Sequence, residues 1–388
     1  MTAFRLDPSA LAEARSRAVA KAAAGRGPYL LARAGTGERL RDEDLATLLL
    51  ASDVDADLLI DLARRRPTGG PHIETFSPLY LTNECDAECA MCGMRSFNPK
   101  LIRETADDRT VDEQLGLLYR RGLRGVALVT GEYHHGPRRD HMLASVARAI
   151  SAALDLGFEH VLLNVGSLDL EEHQKLLARV SRGSDGRIDP HLTMCTFQET
   201  YDPVVYQRFI GSNSSNPRAD FVGRLENFDR AVDAGMSSVN PGVLLGLSRD
   251  VGFELLALLA HVRHLLARAA QVYVSLPRLR KASGTANHVG ISDEMLYRFA
   301  AIVSFGIPEA KVVISTREPP AVQRRLLPVI GVLTPGSPGV APYTETGARF
   351  EMQASQFEVL DQRPIEAVLG DAMADGITVA GYEPGIAP

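Results

Sequence analysis

Residues 79–92 read LYLTNECDAECAMC. Leu79 to Thr82 form a short, apolar strand-like run, and it passes directly into three cysteines, Cys85, Cys89 and Cys92, within eight residues. Outward from this point, Leu- and Val-rich runs alternate with long amphipathic stretches. Strands are predicted at 79–84, 126–131, 161–166, 191–197, 238–246, 272–277, 311–316 and 331–335. Helical patterns fill the gaps: Val111, Leu115 and Leu118 share one face, with Thr110 and Glu113 spaced as a capping box, and the stretch from His141 ends at Gly157 as helices do. Strand–helix alternation implies parallel strands joined by right-handed crossovers. Eight such units predict a (β/α)8 barrel, a TIM-like fold, although a doubly wound open sheet satisfies the same pattern. Residues 1–73 read as a helical N-terminal region ended by Gly69-Gly70-Pro71, 74–335 as the barrel, and 336–388 as a Pro- and Gly-punctuated C-terminal extension packing on it.

The chain has 388 residues, 48 of them Asp or Glu and 42 Lys or Arg, a formal charge of −6. That balance argues against nucleic acid as a partner, since phosphate binding needs clustered basic residues. No apolar run is long enough to span a membrane, and the N-terminus lacks the apolar middle of a signal peptide, so a cytoplasmic location is expected. The chain has four cysteines, Cys195 being the fourth. Reduced compartments and tiny ring sizes disfavour disulfides, and three close thiols suggest a metal or cluster site. Structural zinc takes four protein ligands, whereas a cubane iron–sulfur cluster uses one thiolate per iron. Three cysteines leave one iron open to a small molecule. The unusual polar residues also gather just after the predicted strands, where a barrel carries its active site: Thr130-Gly131-Glu132, Gln198-Glu199, Asn240-Pro241-Gly242, Pro277-Arg278, Arg317-Glu318 and Thr334.

The spacing Cys85-x3-Cys89-x2-Cys92 is that of the radical S-adenosylmethionine (SAM) enzymes. LYLTNECDAECAMCGMR, VTGEYHHG, MCTFQETYDPVVYQRF, VNPGVLLGL, VSLPRLR and STREP resemble the aromatic amino-acid lyases within that superfamily. TREP, PGSP-VAPY and SQF, at 316–319, 335–343 and 355–357, are most similar to the tryptophan-lyase branch of thiopeptide antibiotic biosynthesis. The resemblance spans about Gly70 to Arg363. It implies a [4Fe–4S] cluster on the three cysteines and SAM on its open iron. It also implies a low-potential reductant such as flavodoxin or ferredoxin, and an aromatic amino-acid substrate. Thr130, Gly131 and Glu132 stand where relatives bind the SAM methionine amino group. Glu199 matches the acid that holds the ribose, Arg278 is placed to pair with the SAM carboxylate, and Gly242 lies under the adenine. Arg317 matches the arginine that clamps the substrate carboxylate; Tyr80 and Thr334 line the same pocket. On this reading the chain fragments and rearranges L-tryptophan to 3-methyl-2-indolic acid.

Other readings stay open. Within enzymes the rival is a tyrosine lyase that cleaves Cα–Cβ to p-cresol and dehydroglycine, or a lyase of another aromatic amino acid. The hydrogenase-maturing kind carries a second cluster on C-terminal cysteines, and this chain has none after Cys195. Outside enzymes the rival is a non-catalytic zinc or iron–sulfur protein. Cys195 reads as a packed core residue, and His134 and His135 as solvated loop residues.

Overall fold

Leu- and Val-rich runs flanked by turn residues become the strands of a single parallel sheet. The computed structural model describes residues 2–65, 72–178, 180–181, 184, 186, 188, 192–285 and 290–384. In chain order the strands are β1 (His72–Glu74), β2 (Ser77–Tyr80), β3 (Gly125–Val129), β4 (His160–Asn164), β5 (Leu192–Glu199), β6 (Ser238–Val243), β7 (Gln271–Ser275), β8 (Lys311–Ser315) and β9 (Val332–Thr334). A two-stranded ribbon, β10 (Tyr343–Thr344) and β11 (Gly347–Ala348), and the last strand β12 (Thr378–Ala380) follow. The sheet order is β12-β1-β9-β8-β7-β6-β5-β4-β3-β2, with every neighbouring pair parallel. β2 to β9 are the eight expected strands. All but β5 end earlier than expected, because the residues that follow leave the sheet to build the rim.

The sheet curls into a barrel whose two edges meet across residues 72–80. Glu74 pairs with Val332 of β9, while Ser77 to Tyr80 pair with Val126 to Val129 of β3. Side chains cover the seam: Thr75 Oγ1 donates to the Leu333 carbonyl at 2.8 Å and Ser77 Oγ to that of Pro335 at 2.7 Å. β1 and β12 were not expected. Three residues such as HIE or TVA carry too little pattern to read as strands, and they exist because each completes the other's ladder. At the N-terminal end of the barrel, Phe76, Ala127, Leu162, Val313 and Val332 form an apolar floor. Tyr273 Oη donates to Glu74 at 2.7 Å, and the Lys311 ammonium takes the other carboxylate oxygen, which plugs that end.

Helices cover the outside. The one at Asp108–Arg120 begins earlier than Thr110: Asp107 is its cap, accepting from the Thr110 N–H at 2.8 Å, so the expected Thr110–Glu113 box does not form. Pro137–Leu156 ends as expected on Gly157 at φ +96°. The N-terminal helices, Pro8–Ala23, Gly27–Gly35, Asp42–Leu50 and Ala56–Arg64, pack on Val251–Leu266 and Asp293–Gly306, outside the barrel wall. Buried Arg298 donates to the carbonyls of Leu48, Leu49, Ala51 and Val54, tying this layer to the barrel. The expected break at Gly69-Gly70-Pro71 lies outside the described residues. Among the described residues, no helix is long and apolar enough to cross a membrane.

Candidate active site

A cavity of about 200 Å³ occupies the C-terminal half of the barrel and opens beneath the cysteine loop. Ten of the twelve residues given a cluster, SAM or substrate role from sequence line it: Cys85, Cys89, Cys92, Tyr80, Thr130, Gly131, Glu132, Glu199, Arg317 and Thr334. Arg278 and Gly242 do not.

The cysteine loop is held by main-chain bonds to three separate parts of the fold. Asp86 N–H donates to the Glu132 carbonyl (2.9 Å), Ala90 N–H to that of Phe209 (2.7 Å) and Gly93 N–H to that of Gln356 (3.0 Å). The approach is close enough to demand glycine: a Cβ on Gly131 would fall 1.9 Å from the Glu84 carbonyl oxygen. Each sulfur has a donor aimed at it. Glu132 N–H lies 3.4 Å from Cys85 Sγ, an Arg218 guanidinium nitrogen 3.3 Å from Cys89 Sγ, and Gln356 Nε2 3.6 Å from Cys92 Sγ. Burial pushes all three free thiols up to about 11. Metal ligation deprotonates such thiols outright, and donors on the sulfurs are what a bound cluster needs. Among the described residues, the one set of three ligating side chains with ligand atoms all within 4.8 Å of one another is His135, Asp169 and Glu172, so the three thiols are spread wider than that. Sulfurs on one tetrahedral zinc sit only about 3.8 Å apart. That spread fits the larger span of a cluster.

Glu132 is buried, with a carboxylate oxygen 2.9 Å from Arg224 and 3.4 Å from Arg218. Burial alone would raise its pKa; the two guanidinium groups overcome that and hold it below the usual range. Its side chain is thereby committed, and its backbone serves the cysteine loop, the carbonyl accepting from Asp86 and the N–H pointing at Cys85 Sγ. Glu199 sits at a β-bulge opposite β6, with φ +69°, a strained conformation for a non-glycine residue, and pairs with Arg218 at 2.8 Å. Arg218 therefore touches Cys89, Glu132 and Glu199 at once. Sequence reading missed it, because a lone Arg in the loop SNSSNPRAD has no periodicity and no spacing signal.

Arg317 lies with its guanidinium carbon 3.3 Å from the centroid of the Phe357 ring. Its side chain makes one long hydrogen bond, 3.4 Å to the Arg278 carbonyl, and no ion pair with any described residue. Burial pulls its pKa down to about 10, yet it remains a cation. Beside it, Tyr80 Oη donates to Gln356 Oε1 at 2.6 Å, and Thr334 Oγ1 donates to the Ile314 carbonyl at 3.3 Å. Gln356 and Phe357 come from the C-terminal extension, which so forms one wall.

Two expectations are corrected. Arg278 turns away from the cavity: its guanidinium is taken by Glu318, 2.9 Å from Nε, and by Asp293 at 2.6 Å. Glu318 belongs to the same TREP motif as Arg317, and its buried carboxylate draws in both Arg278 and Arg280 (2.6 Å). Gly242 does not line the cavity; it makes room for the Phe197 ring, whose Cδ1 would lie 2.5 Å from a Cβ there. Cys195 Sγ donates to Asn240 Oδ1 at 3.3 Å inside the barrel, away from the loop thiols. His134 and His135 are exposed and do not line the cavity.

No protein-family profile matches the chain. It is 28% identical over 346 residues to the 2-iminoacetate synthase of Escherichia coli (strain K12), covering 87% of this chain and 85% of that one. To the Salmonella typhimurium (strain LT2) 2-iminoacetate synthase it is 26% identical over 357 residues, 89% and 88% of the two chains. Among solved structures it resembles the FeFe-hydrogenase maturase HydG from Carboxydothermus hydrogenoformans with a TM-score of 0.80, 24% identity, and 97% and 85% of the chains covered. Methylornithine synthase (PylB) follows with a TM-score of 0.69, 19% identity, and 90% and 97% covered. These two establish the barrel fold.

Proposed function

We propose that this chain cleaves the Cα–Cβ bond of an aromatic amino acid, L-tyrosine, to p-cresol and dehydroglycine. It is a radical SAM carbon–carbon lyase whose cofactors are a [4Fe–4S] cluster and SAM. The curated relatives are named for making 2-iminoacetate, which is the anion of dehydroglycine, and they favour tyrosine over the tryptophan reading drawn from the sequence motifs. The observation that carries the substrate class is Arg317. A half-buried guanidinium with no carboxylate partner among the described residues, at the wall of a cavity lined by Phe76, Ala127, Leu162 and Phe197, asks for a ligand with a carboxylate at one end and an apolar ring at the other.

Cys85, Cys89 and Cys92 would hold the cluster, and Arg218 and Glu199 would meet the charged and hydroxyl groups of SAM. When bound and reduced, the pair supplies a 5′-deoxyadenosyl radical, the electron coming from a partner such as flavodoxin or ferredoxin. The rest of the work belongs to this chain's own groups. Arg317, oriented by stacking on Phe357, clamps the substrate carboxylate through two N–H donors of its planar guanidinium. Tyr80, whose phenol burial keeps protonated, and Thr334 stand where the amino group would lie. The barrel and the C-terminal wall exclude water and fix the reacting bond, a positioning role.

Conversion of tryptophan to 3-methyl-2-indolic acid is the second reading. It is favoured by the PGSP and SQF segments, whose Pro338, Gln356 and Phe357 share the Arg317 wall. Mass spectrometry of an anaerobic, reduced reaction with SAM and equal L-tyrosine and L-tryptophan decides. p-Cresol with deoxyadenosine is expected. 3-Methyl-2-indolic acid would install the second reading, and deoxyadenosine with neither product would overturn both.

A further inference from the structure

The same cavity is lined by the apolar side chains of Phe76, Ala127, Leu162 and Val313, and Asn240, Cys195 and Ser275 form a hydrogen-bonded polar spot on its wall. Asn240 is fully buried on β6. Its Oδ1 accepts from Ser275 Oγ at 2.8 Å and from Cys195 Sγ at 3.3 Å, while its Nδ2 has no partner. Buried amide donors are nearly always satisfied, and leaving one unmade costs far more than a hydrogen bond's net gain. Ser275 Oγ and Cys195 Sγ anchor one end of the amide, and Asn240 is a lining residue of the cavity whose other end, Nδ2, is left unmatched. An apolar ring pocket needs no such group.

We propose that Asn240 is a specificity-determining residue that hydrogen-bonds the polar edge of the substrate ring. This rests on the aromatic amino-acid reading above and deepens it. With its carboxylate on Arg317, an aromatic amino acid would send its ring toward the floor, where the Asn240 N–H meets an acceptor. A phenol oxygen is such an acceptor and an indole N–H is not. Ser275 and Cys195 can each donate or accept, so a turned-over amide would present Oδ1 instead and read an indole N–H. In either setting a plain phenyl ring leaves the amide unpaired, and sites built around a hydrogen bond reject analogues that lack it.

The test is calorimetric binding of L-tyrosine, L-tryptophan and L-phenylalanine to the cluster- and SAM-loaded, unreduced enzyme, wild type and Asn240→Ala. The wild type should bind tyrosine at least about tenfold tighter than phenylalanine. In Asn240→Ala that ratio should fall to within about twofold, with phenylalanine affinity held as the sign of an intact pocket. If phenylalanine binding is lost too, Asn240→Leu, which keeps the volume, repeats the comparison. A wild-type preference for tryptophan over phenylalanine that the variants erase would support the same role with the amide turned over. A ring preference that survives both variants would overturn the inference while leaving the lyase reading standing. Failure of all three amino acids to bind the wild type would overturn the reading beneath it.

Discussion

Under the proposed function, Arg317 is a residue at which stability and binding are opposed. Its guanidinium is half-buried at the cavity wall, partly desolvated and without a counter-charge among the described residues, which a folded chain tolerates only at a cost. Arg317→Leu is therefore expected to raise the unfolding midpoint of the ligand-free protein, by about 1–2 kcal/mol in stability, while removing amino-acid binding. Arg317→Lys should retain the charge and lose the bidentate clamp, lowering kcat/KM by about tenfold or more. Thermal melts and steady-state kinetics check the pair; a destabilised Arg317→Leu would show that the arginine braces the rim. Arg278 and Arg317 look alike in sequence, each an Arg at a strand end. What separates them is a neighbour, Glu318, that neutralises the first and leaves the second unpaired.

At the scale of elements, the helix Val251–Leu266 carries a buried polar pair into the core. Tyr201 Oη and His261 Nδ1 are 2.9 Å apart, and the His261 ring stacks on Phe4 at 4.4 Å. Burial holds His261 at about 3 and His173 at about 4, well below the ordinary histidine value. Both are neutral in the folded state and gain a proton on unfolding below about pH 6.5. Their contribution is thus complete above pH 6.5 and is lost as pH falls toward 4. His261→Phe should make the fall in stability between pH 6.5 and 4 shallower by up to about one proton, read from urea midpoints across that range. An unchanged slope would mean that His261 is not buried neutral. The cysteine loop is legible at this scale from spacing alone. Its placement is not, since the contacts that set it, Glu132, Phe209 and Gln356, lie far along the chain.

Across the whole molecule, the N-terminal helices are part of the barrel's outer layer and none of their described residues lines the cavity. Leu45, Leu48, Leu49 and Leu59 are buried, and Arg298 relies on the carbonyls of this layer. Removing residues 1–65 would strip an apolar face from two barrel helices, and the truncated chain is expected to aggregate. Soluble yield and gel filtration test this. A soluble, folded truncation binding its full iron complement would show that the layer is dispensable. The C-terminal extension acts differently: it adds β12 to the sheet and sends Gln356 and Phe357 to the cavity wall.

The sequence by itself determined the eight parallel strands, the helices between them and the loop of three closely spaced cysteines. These rest on local periodicity and on close spacing, which a chain displays without being folded. It also placed Glu199, Arg317, Tyr80 and Thr334 near one another, through motifs that fall at strand ends. Only the tertiary structure decided which charges are free, because pairing joins residues distant in the chain. Arg278 is consumed by Glu318, Glu132 by Arg224 and Arg218, and Arg317 is left open. The same holds for β1 and β12, for Arg218 between the cysteine loop and Glu199, and for the unpaired amide of Asn240. Each depends on burial and on partners brought together across the barrel, where an unmet hydrogen bond or charge becomes costly enough to carry meaning.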